Sequence, residues 1–279
     1  MDRWNSRSLF SDDPQDVALP LEGTPLAERM RPRSLSEFVG QTHLVGEGRI
    51  LRRLLAGGGA LPSLILWGAP GTGKTTLARL LADSSGLNFI ALSAVFSGVK
   101  DLREAIDRAK AEKRYGKRTV LFIDEIHRFN KSQQDALLHA VENGTVALIG
   151  ATTENPSFEV TGALLSRSRV LVLNQLSDEE IKTVLQNALA NEERGLASFS
   201  PSVSEELLER IAHSASGDAR VALTALDAAV ESTAPDANGV RTVSEQTVIE
   251  ALGRAHERHR LLHADLADSH RAPAPSLQD

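Results

Sequence analysis

The chain has 279 residues, 41% hydrophobic and 24% charged, which is ordinary for a globular protein with room for one large domain and a small one. It has no cysteine, which excludes disulfides and thiolate metal sites. The net charge of −6 neither demands nor excludes a nucleic-acid partner, and no apolar run is long enough to span a bilayer, so the expected compartment is the cytoplasm.

Residues 1–24 are polar and acidic with scattered prolines, and a flexible segment is expected there. From 25 to 174 short apolar runs alternate with segments of helical period. The runs are LILW, FIAL, VLFID, VALIGATT and VLVLN. Each is nearly continuous rather than alternating, as expected of strands buried on both faces of a parallel sheet. The helical segments between them are long enough for right-handed crossovers. This predicts an α/β domain with a five-stranded parallel sheet. Across 175–254 the strands stop, and capping-box patterns at Ser177, Ser202 and Thr242 mark helix starts in a small all-helical domain. Residues 255–279 lose periodicity and are expected to be irregular.

The first strand runs into GAPGTGKTT, and Gly68 to Thr75 has the spacing of a phosphate-binding loop. Glycines let the backbone curl so that several N–H groups face one anion, and the helix that follows adds the positive end of its dipole. Gly68, Ala69, Pro70, Gly71, Thr72, Gly73, Lys74, Thr75 and Thr76 are therefore expected to hold a nucleoside triphosphate. Lys74 would reach the β- and γ-phosphates, and the Thr75 hydroxyl would ligate magnesium.

VLFIDEIHRFN places Asp124 and Glu125 at the carboxyl end of a strand, the edge where parallel α/β sheets bind ligands. Asp124 can hold magnesium, leaving Glu125 to polarise an attacking water. Thr152 ends the next strand where a hydroxyl could touch the γ-phosphate or that water, with Thr153 and Asn155 as close competitors. Arg167 and Arg169 precede the fifth strand, where a guanidinium faces away from its own loop and could reach a neighbour's nucleotide. Arg220 sits in the first turn of a helix, where the dipole does not favour a cation, as suits an arginine aimed at phosphate. The stretch 100–118 carries eight bases against four acids; Arg103, Lys110, Arg114 and Lys117 share a broad helix face that is either a solvated surface or a DNA contact. His256, His259 and His263 could share one side of a helix, but without cysteine a metal site there is not expected.

Taken in order, the phosphate loop, the DE pair, the threonine, the arginine and GDAR resemble an AAA+ ATPase of the clamp-loader branch. PLAERMRPRSLSEFVGQ, SAVFSGVKDLREAI, DEIHRFNKSQQDALL, IGATTENPSFEVTGALLSRSRV and GDARVALTALD resemble the family of bacterial replication-associated recombination protein A and the Werner-helicase-interacting ATPase, over about residues 25–254. The resemblance implies a P-loop AAA+ fold with a helical lid, ATP and Mg2+, and DNA-stimulated hydrolysis at stalled or damaged forks. It implies DNA with single-stranded regions or ends, single-strand-binding protein and the replication machinery as partners, and a nucleoid-associated place in the cytoplasm. By position it makes Thr152 the γ-phosphate sensor, Arg167 the finger with Arg169 in reserve, and Arg220 the second sensor. It also sets Arg31, Pro32, Val39, Gly40 and Gln41 near the adenine. The family pattern stops near Arg254, short of the long helical region associated with tetramers, so a homo-oligomer and efficient turnover are both open. A clamp-loader-like subunit and a nucleotide-switched adaptor with little turnover are the alternatives. Ser8–Phe10 resembles the end of a sliding-clamp-binding peptide.

Overall fold

The computed structural model describes residues 23–56 and 61–268, with side chains to Glu257. Ser8–Phe10 and nearly all of the acidic 1–24 segment lie outside the described residues. Two short helices, α1 (Leu26–Arg29) and α2 (Thr42–Val45), and α3 (Ile50–Ala56) precede the sheet. The sheet strands are β1 (Ser63–Trp67), β2 (Asn88–Ser93), β3 (Thr119–Asp124), β4 (Val146–Thr152) and β5 (Ser168–Val172). Between them lie α4 (Lys74–Ser84), α5 (Val99–Arg114), α6 (Lys131–Glu142), α7 (Pro156–Glu159) and α8 (Gly162–Leu165). All pairings are parallel, in the order β2-β3-β4-β1-β5.

Alternation along each strand divides its side chains between two cores. Leu64, Leu66, Val120, Phe122, Ile149 and Ala151 point to the face covered by Leu77, Leu80 and Leu81 of α4. Ile65, Leu121, Ile123 and Leu148 point to the face covered by α5 and α6 through Leu102, Ile106 and Leu137. That two-sided burial explains the continuous apolar runs of β1, β3 and β4. It does not hold for the edges. β2 is only half-buried along most of its length, and β5 leaves Val170 and Val172 more than 40% exposed. Each edge strand has a partner on one side only.

The helical body contains α9 (Asp178–Ala190), α10 (Glu205–Ala215), α11 (Ala219–Ser232) and α12 (Glu245–Asp268) around one apolar core. Four points differ from the expectation. Ser177 caps α9 with a full capping box, but α10 is capped by Ser204, and Ser244 accepts the Thr247 N–H at the start of α12. Ser202 and Thr242 lie instead in two short parallel strands, β6 (Pro201–Ser202) and β7 (Arg241–Thr242), so the body is not purely helical. Pairing those residues turns Val203 and Val243 into the core, which outweighs a cap two residues early. The tail expected to be irregular from 255 is helical to Asp268, with Ala255 buried in the core. Nothing between 254 and 268 is Gly or Pro, so charge alone does not break the helix. Finally, α1 packs with this body rather than with the sheet: Leu26 is fully buried in its core, and the Leu26 N–H donates to Asp227 Oδ2 at 3.2 Å.

Candidate nucleotide site

The site gathers at the carboxyl ends of β1, β3 and β4. Because β4 lies between the other two, its exit passes between the glycine loop and the acidic pair. The Gly68 N–H donates to Thr152 O at 3.2 Å and ties the start of the loop to that exit. Gly71 and Gly73 have φ of +71° and +92°, where a β-carbon is costly. Thr72 is buried, and its hydroxyl donates to Ala69 O at 2.9 Å.

Lys74 opens α4 and is 7% exposed. Its Nζ donates to Gly68 O at 2.8 Å and Ala69 O at 2.9 Å. Burial pulls its pKa down, against the pull of Glu125 and Asp124 upward. Gly73 offers no side-chain cap to α4, whereas α6, α9, α10 and α11 are capped by Asn130, Ser177, Ser204 and Asp218. The first amides of α4 are thus free to serve an anion, with the half-buried Thr75 and Thr76 on the same turn.

Asp124 ends β3, and its carboxyl is pushed above the usual range by burial first and by Glu125 second; Lys74 and Arg220 draw it back. Glu125 adopts a left-handed backbone, φ 53° and ψ 49°, which costs on the order of 1–3 kcal/mol. Fully burying the next residue, Ile126, contributes about 1.5–3 kcal/mol and offsets that strain.

The Glu125 carboxylate is held by two donors. Thr153 Oγ1 donates to its Oε2 at 3.1 Å, and His127 Nδ1 lies 3.2 Å from the same atom. His127 Nδ1 is also 2.9 Å from Thr152 Oγ1. The Thr152 hydroxyl donates to Glu154 O and accepts the Glu154 N–H, so its proton is committed. A carboxylate only accepts, so Nδ1 carries a ring proton. Burial, the largest influence, lowers the His127 pKa despite Glu125 and so favours the neutral ring over an ion pair.

Thr152, expected to touch the γ-phosphate or the attacking water, is turned inward. Its side chain is fully buried and its hydroxyl is consumed within the β4 exit. The neighbour Thr153, the first residue past β4, is the threonine that donates to the acidic pair. Asn155 instead caps α7 through the Ser157 N–H.

α11 approaches the loop through its first turn. Asp218 caps it by accepting the Arg220 and Val221 N–H groups, and the Arg220 charge is felt at both Lys74 and Asp124. Arg167 lies elsewhere, beside the starts of β1, β3 and β4 at the opposite sheet edge. It is exposed and pairs with Glu142 Oε1 at 2.6 Å. Arg169 is exposed on edge strand β5.

Of the segment expected near the base, Val39–Gln41 reaches the loop by way of Phe38, whose ring leaves no room for a β-carbon at Gly73. Gln41 is buried and clamps the Asn174 backbone with bonds of 2.7 and 2.9 Å, and Gly40 fits against Leu176. Pro32 is half-buried; Arg31 pairs with Glu28 at 2.6 Å, and its carbonyl accepts from Arg194. Sequence reasoning missed Phe38 and His127. An aromatic beside VGQ and a histidine two residues past the carboxylate were their only signals. His256 Nε2 lies 3.1 Å from Ser214 O; the side chains of His259 and His263 lie outside the described residues.

Comparison with known proteins agrees with this architecture. The ATPase family associated with various cellular activities (AAA) matches residues 64–176, and the AAA C-terminal domain matches 197–265. Replication-associated recombination protein A of Coxiella burnetii is 47% identical over 91% of this chain and 58% of its own length. The Escherichia coli K12 protein of that name is 47% identical over 84% of this chain and 52% of its own. The ATPase WRNIP1 of Dictyostelium discoideum is 49% identical over 74% of this chain and 23% of its own length. The chain thus spans about half the length of the curated relatives it matches. Among solved structures, the Thermotoga maritima RuvB Holliday junction branch migration motor superposes with a TM-score of 0.64 and 26% identity, covering 81% of this chain and 72% of that one. The chain belongs to the AAA ATPase family, in the branch of replication-associated recombination protein A and WRNIP1.

Proposed function

We propose that the chain is an ATP hydrolase whose turnover is coupled to DNA with single-stranded regions or ends, in replication, recombination and repair. The observation that carries it is the convergence of an uncapped glycine loop, a buried Lys74, the Asp124–Glu125 pair and Arg220 at one sheet edge. The names of the relatives supply the biological setting: the activity is carried over from replication-associated recombination protein A and WRNIP1.

The residues fit ATP with Mg2+. Gly68–Thr76 presents amides and the Lys74 ammonium to phosphates. The Thr75 hydroxyl and the Asp124 carboxylate are hard oxygen donors suited to magnesium. The Asp124 carboxyl is raised by burial and by Glu125, a strain that a divalent cation relieves. Bound magnesium would neutralise charge building on the phosphoryl oxygens. Glu125 orients the attacking water and draws its proton, while Thr153 and His127 hold the carboxylate in place. Arg220 brings positive charge from α11 to the same edge. Val39, Gly40, Gln41, Arg31 and Pro32 are the residues assigned to the wall beside the base.

Arg167 has no place in its own site. Its surface position suits a neighbour's nucleotide, so the working form is a homo-oligomer in which 25–174 carries the loop and 175–254 the lid. The working place is the cytoplasm, at the nucleoid, with single-strand-binding protein and replication machinery as partners. Among the described residues no helix is long and apolar enough to cross a membrane. The test is steady-state ATP turnover by the full chain with and without single-stranded oligonucleotide. Parent turnover that rises with DNA and vanishes in Lys74→Ala is expected. Turnover that survives in Lys74→Ala would rule out this site.

A further inference from the structure

Tyr115 is 83% exposed at the end of α5, with Lys113 and Arg114 before it and Lys117 and Arg118 after the open Gly116. The helix dipole accounts for the first two cations, which lie in the last turn. It does not account for Lys117, Arg118 or an aromatic ring left in water.

The turn is rigid. The Lys117 N–H donates to Glu112 O at 3.2 Å and the Gly116 N–H to Lys113 O at 3.0 Å, the paired bonds of a Schellman ending, with Gly116 at φ +75°. The acid nearest the turn faces inward. Glu112 accepts from Asn88 Nδ2 at 2.7 Å and Thr119 Oγ1 at 2.9 Å; burial raises its pKa, and these bonds with Arg108 outweigh it. Beside the turn lies a cavity of about 300 Å³ whose lining is largely apolar, with Leu61, Leu87, Val141 and Val146, and includes Lys113, Arg118 and Arg167; Arg167 is paired with Glu142, and Lys113 Nζ donates to Asn143 O at 2.9 Å. An exposed ring between cations, beside a cavity with basic residues in its lining, matches the two parts of a single strand: a base face and its phosphates. A duplex hides its base faces, so the ring favours unpaired DNA.

We propose that the turn 113–118 binds single-stranded DNA, with a base stacked on Tyr115 and phosphates held by Lys113, Lys117 and Arg118. This rests on the DNA reading above and gives it a location, at the sheet edge opposite the nucleotide loop.

The test is fluorescence anisotropy of labelled oligo(dT) titrated with the full chain between about 50 and 200 mM salt. Tyr115→Ala should weaken binding about 5- to 100-fold, the stacking range for one base, and Tyr115→Phe should restore it. Lys117→Ala with Arg118→Ala should weaken binding and flatten the slope of log K against log salt by about 1.4, two phosphate contacts on a single strand. Circular dichroism melts of these surface variants should overlay the parent. Parent binding with unchanged affinity in Tyr115→Ala and in the double variant overturns the site but leaves the DNA reading standing. Phe96, 83% exposed in the loop after β2, is the competing aromatic; loss in Phe96→Ala alone moves the strand there and also overturns the site. No binding by the parent overturns both.

Discussion

A β-carbon at Gly71 would come within 2.1 Å of Asp218 Oδ1, so the tip of the phosphate loop and the cap of α11 are fitted to one another without spare room. Gly71 also has φ +71°. Two independent penalties therefore meet at one position, and the contact is backbone against a side chain already bound to two amides. Gly71→Ala should cost on the order of 1–3 kcal/mol of stability and weaken ATP binding by forcing α11 off the loop. Thermal melting and ATP titration check this. Unchanged melting and affinity would show that α11 moves away at no cost.

The two threonines at the β4 exit should separate in their effects. Thr153→Val removes a donor from Glu125 and should lower kcat about 10- to 100-fold with ATP binding retained. Thr152→Val strips a fully buried hydroxyl from His127 and from both Glu154 backbone groups, and should cost about 1–3 kcal/mol of stability. Kinetics and melting curves on both variants decide. The reverse pattern would return the sensing role to Thr152.

His127 gives a pH signature. Its folded pKa lies below the ordinary 6.5 because burial disfavours the imidazolium. In the unfolded chain the ring takes up a proton first, so stability is present above about 6.5 and is lost as pH falls toward the folded value. The drop in Tm between about pH 7.5 and 5.5 should be smaller in His127→Asn than in the parent. Equal drops would mean that His127 does not prefer its neutral form.

Much of this was legible in the residues. The strands fell within one or two residues of their apolar runs, because burial on two faces demands continuous hydrophobicity and little else produces it. The loop was legible because its glycines and lysine have few other uses at that spacing. Thr152 and Thr153 were not separable: the strand ends between them, and a sequence does not say which of the two turns toward the acids. Ser202 and Thr242 matched a cap pattern that Ser204 and Ser244 also satisfy in part, and pairing between β6 and β7, 40 residues apart along their register, chose between them. His127 was hidden because its role depends on a left-handed turn at Glu125, which is set by tertiary packing of Ile126 and the Arg128 N–H bond to Glu125 O at 2.8 Å.

In the proposed oligomer one chain's loop is completed by another chain's arginine. ATP turnover per chain should be measured against protein concentration, with and without DNA bearing single-stranded ends, in the parent, in Arg167→Ala and in an equimolar mixture of Arg167→Ala with Lys74→Ala. Turnover per chain that climbs with concentration and rises again with DNA is expected. Arg167→Ala should fall about 1,000-fold or more with ATP still bound, and mixing should restore part of it, since the loop of one variant meets the arginine of the other. Flat turnover with concentration, or Arg167→Ala as active as the parent, would contradict the account.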